Sequence, residues 1–168
     1  MIIRHHQKGD ASSEAVYSDC ERYRYSLTRV WRCEGPRVLF VMLNPSTATE
    51  VQNDPTVERC ERRARALGFG GFAVANIFAF RATRPADLKR AADPVGMGND
   101  ALLASLAREA GAVLCAWGHH GSYLGHGPAT ERALRGAGLA LSHLGLTKGG
   151  HPRHPLYLGY EQQPERWD

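Results

Sequence analysis

The sequence predicts an α/β domain of three layers, a parallel four-stranded sheet between helices, with a β-hairpin at its N-terminus. Three observations carry that prediction. The run Val38-Leu39-Phe40-Val41-Met42-Leu43 is apolar on both faces, as a strand covered on both sides must be. Later apolar runs of strand length alternate with segments of helical period, the pattern of parallel strands joined by crossovers. Ahead of them, Tyr23 to Cys33 alternates with a period of two.

The alternating segment sets Tyr23, Tyr25, Leu27, Arg29, Trp31 and Cys33 against Arg24, Ser26, Thr28, Val30 and Arg32, and reads as a half-exposed strand paired with Ala15 to Tyr17 across Ser18-Asp19. Glu34-Gly35-Pro36 turns the chain into the first buried strand. Asp54 as N-cap and Pro55 as first helical residue then open a helix over Thr56 to Leu67. Its Val57, Cys60, Ala64 and Leu67 share one face, and Gly68, Gly70 and Gly71 end it. Phe72 to Phe78 is a second buried strand, followed by a polar stretch with Arg81, Arg84 and Pro85. Asn99 or Asp100 caps a helix that turns Leu103, Leu106, Ala107 and Ala110 inward and leads to a third strand, Ala112 to Ala116. A last helix, Thr130 to Ala137, stops at Gly136 and Gly138 before a fourth strand, Leu139 to Leu144. The organisation is one domain over residues 1–168, with a hairpin extension over 1–36 and an α/β core over 37–160.

At 168 residues the chain is long enough to bury a core without disulfides or metals to staple it. Cys20, Cys33, Cys60 and Cys115 contain no C-x-x-C pair and read as reduced thiols. No apolar run approaches the roughly 20 residues that cross a bilayer, and the start MIIRHHQKGD lacks the apolar stretch of a signal peptide, so the expectation is a cytoplasmic protein without membrane contact. The formal charge of +4 comes mostly from arginine, which suits bidentate phosphate contacts.

In open parallel sheets ligands bind beyond the carboxyl ends of the strands, and the unusual residues of this chain fall there. Asn44-Pro45-Ser46-Thr47 leaves the first strand, and Asn76, Phe78 and Arg81 close the second. Trp117-Gly118-His119-His120 follows the third, and Thr147 to Pro155 follows the fourth. Asn76 sits inside an apolar strand, where a buried amide must find partners. The prolines and glycines around His151 and His154 fix both imidazoles in place. His119, His120, His126, His151 and His154 could also form a metal site. However, His151-x-x-His154 on a proline-broken loop lacks the helical spacing of zinc proteases, so neither metal nor cofactor is expected.

The segments VMLNPSTATEVQNDPTVERC, NIFAFRATRPADL, AWGHHG and LGLTKGGHPRHPLYL resemble an uncharacterised family of small bacterial and phage proteins, a domain of unknown function. More distantly, VMLNPS, VANIFAFR and GHPRHPLYL resemble the three loops of the uracil-DNA glycosylase superfamily. That resemblance implies a parallel four-stranded sheet between helices and an N-glycosidase acting on a base in nucleic acid or in a nucleotide; the four cysteines do not match the cluster ligands of the superfamily's iron-sulfur branches, so no cluster is expected. It implies that Asn44 positions water or polarises the sugar, that Asn76 pairs with the base edge, and that His151 or His154 stabilises the departing base. Pro45, Ser46, Thr47, Phe78, Arg81, Trp117, His119 and Arg153 complete the expected binding surface, with Ser46 and Arg153 on phosphate. Two other readings stand beside it: a non-catalytic nucleotide or nucleic-acid binding module, and a metal-dependent hydrolase using the histidines.

Overall fold

A computed structural model describes residues 1–168. Its sheet has eight strands: β1 (Ile2–Lys8), β2 (Ala11–Tyr17), β3 (Arg24–Val30), β4 (Arg37–Met42), β5 (Gly71–Asn76), β6 (Ala112–Cys115), β7 (Leu141–His143) and β8 (Glu165–Arg166). The helices are α1 (Pro55–Ala66), α2 (Pro85–Arg90), α3 (Asn99–Glu109) and α4 (His126–Gly136). No helix is long and apolar enough to cross a membrane.

The expected parallel four-stranded sheet between helices is corrected by the strand pairing. All eight strands form one mixed sheet in the order β1-β2-β3-β5-β4-β6-β7-β8. The pairings β1-β2, β2-β3, β3-β5 and β7-β8 are antiparallel, and β5-β4, β4-β6 and β6-β7 are parallel. The physical reason is the open edge of β5. Its backbone groups need a partner, and β3 supplies one through Leu27 to Val30 against Val74 to Gly71. β3 itself is not half-exposed as its alternation suggests. Loop 48–53 lies over one face, and Arg24, which the alternation sets among the polar residues, and Arg29, which it sets among the apolar ones, are both buried.

Three elements lie outside the predicted pattern. β1 is exposed along nearly its whole length and is held only as an edge strand, with no apolar alternation to reveal it. α2 is a short helix inside the stretch read as polar loop, anchored by the single buried Leu88. β8 pairs with β7 and brings Trp167 into the core beside Trp117, ring centroids 5.8 Å apart. α4 also begins earlier than expected, at His126.

Apolar residues of the central strands divide by alternation. Val38, Phe40 and Met42 face Val57, Cys60 and Ala64 of α1, while Leu39, Val41 and Leu43 face Leu88, Leu103, Ala107 and Leu134 on the opposite side. Asp54 caps α1 by accepting from the Val57 N–H at 2.8 Å, with Pro55 in the first turn. This cap stands at the carboxyl ends of β4 and β5, where the first loop leaves the sheet.

Candidate functional site

A cavity of about 430 Å³ opens at that edge of the sheet. The chain brings to its wall Asn44, Pro45, Ser46 and Thr47 from the end of β4, Asn76 from the end of β5, Trp117 and His119 from beyond β6, and His154 from the late loop. Phe78, Arg81, His151 and Arg153 lie outside it.

Each omission has a local cause. Phe78 follows a bend after β5 and packs on the opposite face against Tyr123 and His126, centroids 5.8 and 5.3 Å away. Arg81 donates to the Glu21 carbonyl at 3.1 Å and lies over the Tyr17 ring. The late loop runs as an extended pair, with Leu146 bridged to Pro152. Alternate residues of an extended chain face opposite ways. Pro152 is therefore buried and His154 half-buried on the cavity side, while Arg153 is exposed and donates to the Leu146 carbonyl at 3.3 Å. His151 closes the turn at the other end, its carbonyl accepting from the Thr147 N–H at 2.8 Å.

Gly118 shapes the turn that packs against His154. With φ +73 it takes a left-handed conformation, its N–H donates to the Pro152 carbonyl at 2.8 Å, and a Cβ there would sit 3.5 Å from the Cβ of His154. The Leu156 N–H donates to His154 Nδ1 at 3.2 Å. That bond assigns the proton of the neutral ring to Nε2, leaving Nε2–H as a donor. Burial pushes the His154 pKa down to about 4, against an opposing pull from Asp54, so the ring is neutral at physiological pH.

Asn44 is held in one orientation. Its Nδ2 donates to the carbonyls of Pro45 at 3.0 Å and Ala82 at 2.7 Å, which leaves Oδ1 as the group without a protein partner. Asn76 is the reverse case. It is 1% exposed, its side chain makes no hydrogen bond within the protein, and Nδ2 is buried without a partner. Sharing the alternation of Phe72 and Val74, it ends β5 on the α1 face and contributes its carboxamide to the cavity wall. Trp117 packs its indole on Gly121 and Gly127, where any side chain would overlap the ring, and its Nε1 is likewise buried without a partner.

Sequence reasoning missed Arg24, Asp54, Thr56, Thr83 and Tyr157, all of which line the cavity, as does His120 of the third loop. Asp54 was legible only as a helix cap. Its two oxygens are both engaged, Oδ1 by the Val57 N–H and Oδ2 by the Ala48 N–H at 3.2 Å. Arg24 looked like one more polar residue of an alternating strand. Tyr157 stands at the rim, 84% exposed, its ring 6.0 Å from that of His154. Opposite, the rings of His119 and His120 lie 4.0 Å apart, and His120 is pushed below its usual pKa by burial, then by His119 and Lys89. The five histidines considered for a metal do not converge: no group of three or more His, Cys, Asp or Glu is placed to hold an ion.

No curated protein and no solved structure matches the chain. Residues 24–156 match a family described as a protein of unknown function, DUF1643. That span starts at Arg24, ends at Leu156 and contains every cavity residue named above except Tyr157, and the chain belongs to the DUF1643 family.

Proposed function

We propose that the cavity is the active site of an N-glycosidase that recognises a nucleobase. The observation that carries this reading is Asn76. A carboxamide buried in a cavity wall with no protein partner costs free energy unless a ligand completes it, and its adjacent donor and acceptor match the edge of a base. The likeness of VMLNPS, VANIFAFR and GHPRHPLYL to the loops of uracil-DNA glycosylases supports it. Since the eight-stranded mixed sheet departs from the fold that likeness implies, the reading rests on the loops and not on the fold.

In this reading the C1′–N bond breaks with its electron pair leaving on the base. His154 Nε2–H donates to the developing anion. The oxocarbenium-like sugar is captured by a water that donates a hydrogen bond to Asn44 Oδ1, and the proton of that water passes to solvent. Because departure precedes attack, no strong base is required. His154 takes the role left open between the two late histidines, and His151 has none.

A second reading, a recognition module without chemistry, is favoured by one observation. Asp54 is the sole acid lining the cavity, and both of its oxygens are committed to backbone N–H groups. One experiment separates the two. Oligonucleotides, nucleotides and nucleosides bearing different bases are incubated with the protein and analysed for free base by mass spectrometry. Release of one base by the wild-type chain and loss of release in Asn76→Ala is the expected result. Tight binding with no base released from any substrate would leave the recognition module.

A further inference from the structure

Arg24 opens β3 and is 1% exposed, yet it lines the cavity. Its Nη1 donates to the Ala48 carbonyl at 2.6 Å. Nε is buried with no partner, and Nη2 makes no hydrogen bond within the protein. None of the chain's ion pairs involves it. Asp54 acts on it only from a distance, because the carboxylate is turned to the backbone of Ala48 and Val57. A clamp on Ala48 uses one of the five N–H bonds of a guanidinium. It explains neither the unused donors nor a buried charge that no carboxylate contacts, which is costly in the unliganded protein.

We propose that Arg24 is the floor of an anion subsite that takes the terminal phosphate of a nucleoside monophosphate. The inference rests on the nucleobase reading of the same cavity and narrows its substrate class. Four steps lead there. Arginine offers only donors, so among neutral base edges it suits one with paired acceptors, such as guanine O6 and N7, and not one with a donor beside an acceptor, which Asn76 can read. A base anion formed during reaction carries its charge only transiently, whereas a permanently buried cation is compensated in the bound state by a permanent anion. The hydroxyls of Ser46, Thr47, Thr56 and Thr83 share the cavity and give further donors to a tetrahedral oxyanion. A phosphate inside a strand would have to bring a second sugar to a guanidinium that is almost wholly enclosed. A terminal phosphate brings none, and a cavity of about 430 Å³ is of the size that holds one small ligand.

The test begins with inorganic phosphate and acetate, each titrated into the ¹⁵N-labelled wild-type protein while the arginine side-chain Nε resonances are followed. Phosphate should move the Arg24 signal saturably and raise the melting temperature, and acetate should do so much less. Nucleoside monophosphates should bind on the order of tenfold or more tightly than the parent nucleosides and than dinucleoside monophosphates, whose one phosphate is a diester. Arg24→Met should erase that preference while nucleoside binding remains. An Arg24 signal indifferent to phosphate, one moved equally by acetate, or dinucleoside monophosphates bound as tightly as monophosphates would each overturn the proposal, and the wild-type titration decides the first two even if the variant fails to fold. Base release is read separately: a phosphate response without release keeps the subsite and removes the glycosidase, and release from oligonucleotides with no phosphate response does the opposite.

Discussion

Arg24 and Arg29 lie five residues apart on β3, both buried and both holding the same loop, and they differ in what they leave unspent. Arg29 gives Nη1 to Ser13 Oγ and Nη2 to the Thr49 carbonyl at 2.8 Å and Asn53 Oδ1 at 2.9 Å. Arg24 gives Nη1 to Ala48 and nothing more. Nε is unpartnered in both, so the distinction lies in Nη2 and in the cavity beside it. The pair teaches that burial of a charged group does not by itself mark a site. Arg29 is structural because its forked donors have been used by the fold, and Arg24 stands out because they have not.

The largest effect that can break this comparison is on stability. Arg29→Met strands three acceptors around loop 49–53, and with unsatisfied buried groups costing about 1–3 kcal/mol each the variant should lose on the order of 4 kcal/mol. Both variants remove a buried charge that has no ion-pair partner, but Arg24→Met strands only one carbonyl, so its loss should be about 1 kcal/mol or less. Urea denaturation of the two variants measures the difference. Equal losses would mean that Arg24 is as structural as Arg29.

The same contrast between spent and unspent donors separates the late histidines, with a kinetic effect of the next size. His154 has Nδ1 occupied and Nε2–H free at the cavity, while His151 is half-buried in a turn away from it. Losing one preorganised donor to a developing anion costs on the order of 2.7–4 kcal/mol, so His154→Ala should slow base release about a hundredfold or more at little change in KM. His151→Ala should change it less than about threefold. Single-turnover rates on the released base decide it, and a larger loss in His151→Ala would move the catalytic donor out of the cavity.

Legibility of the chain follows the same physics. The strands Val38 to Leu43 and Phe72 to Asn76 and the helix opened by Asp54-Pro55 could be read because each has a local signature: apolar runs, one apolar face, a cap. Placing Asn44, Asn76 and His154 at one edge needed only strand ends. What could not be read depends on partners remote in sequence. β1 is an edge strand without an apolar face, and the antiparallel half of the sheet arises from pairing of β3 with β5 across about 45 residues. Arg24 falls on the polar phase of β3 and Arg29 among its apolar residues, and what both hold becomes visible only with loop 48–53 in place. His151 and His154 differ only in which side of an extended loop they take, and that is set by the bridge from Leu146 to Pro152.

The smallest predicted effect concerns protons. Burial, opposed by Asp54, holds the folded-state pKa of His154 near 4, below the usual histidine value of 6.5. Between those values the unfolded chain binds the proton and the folded chain does not. Unfolding therefore takes up protons in that window, and stability falls as pH drops from about 6.5 toward 4 and is unaffected by this group above it. Protonation would also set the Nδ1 proton against the Leu156 N–H that now donates to it. Because the ring is only half-buried, the contribution should be on the order of 1 kcal/mol after solvent screening. Carboxylates titrate in the lower part of the same window, so the readout is the difference between wild type and His154→Gln in urea midpoint at pH 4.5 and at pH 7.5. Wild type should lose more on acidification than His154→Gln does. The corresponding kinetic sign is that base release, which uses Nε2–H of a ring oriented by the Leu156 N–H on Nδ1, should persist down to about pH 5 without a descending limb centred on 6.5. A limb at 6.5 that disappears in His154→Gln would mean that the ring titrates as an exposed histidine and is not held neutral by its enclosure.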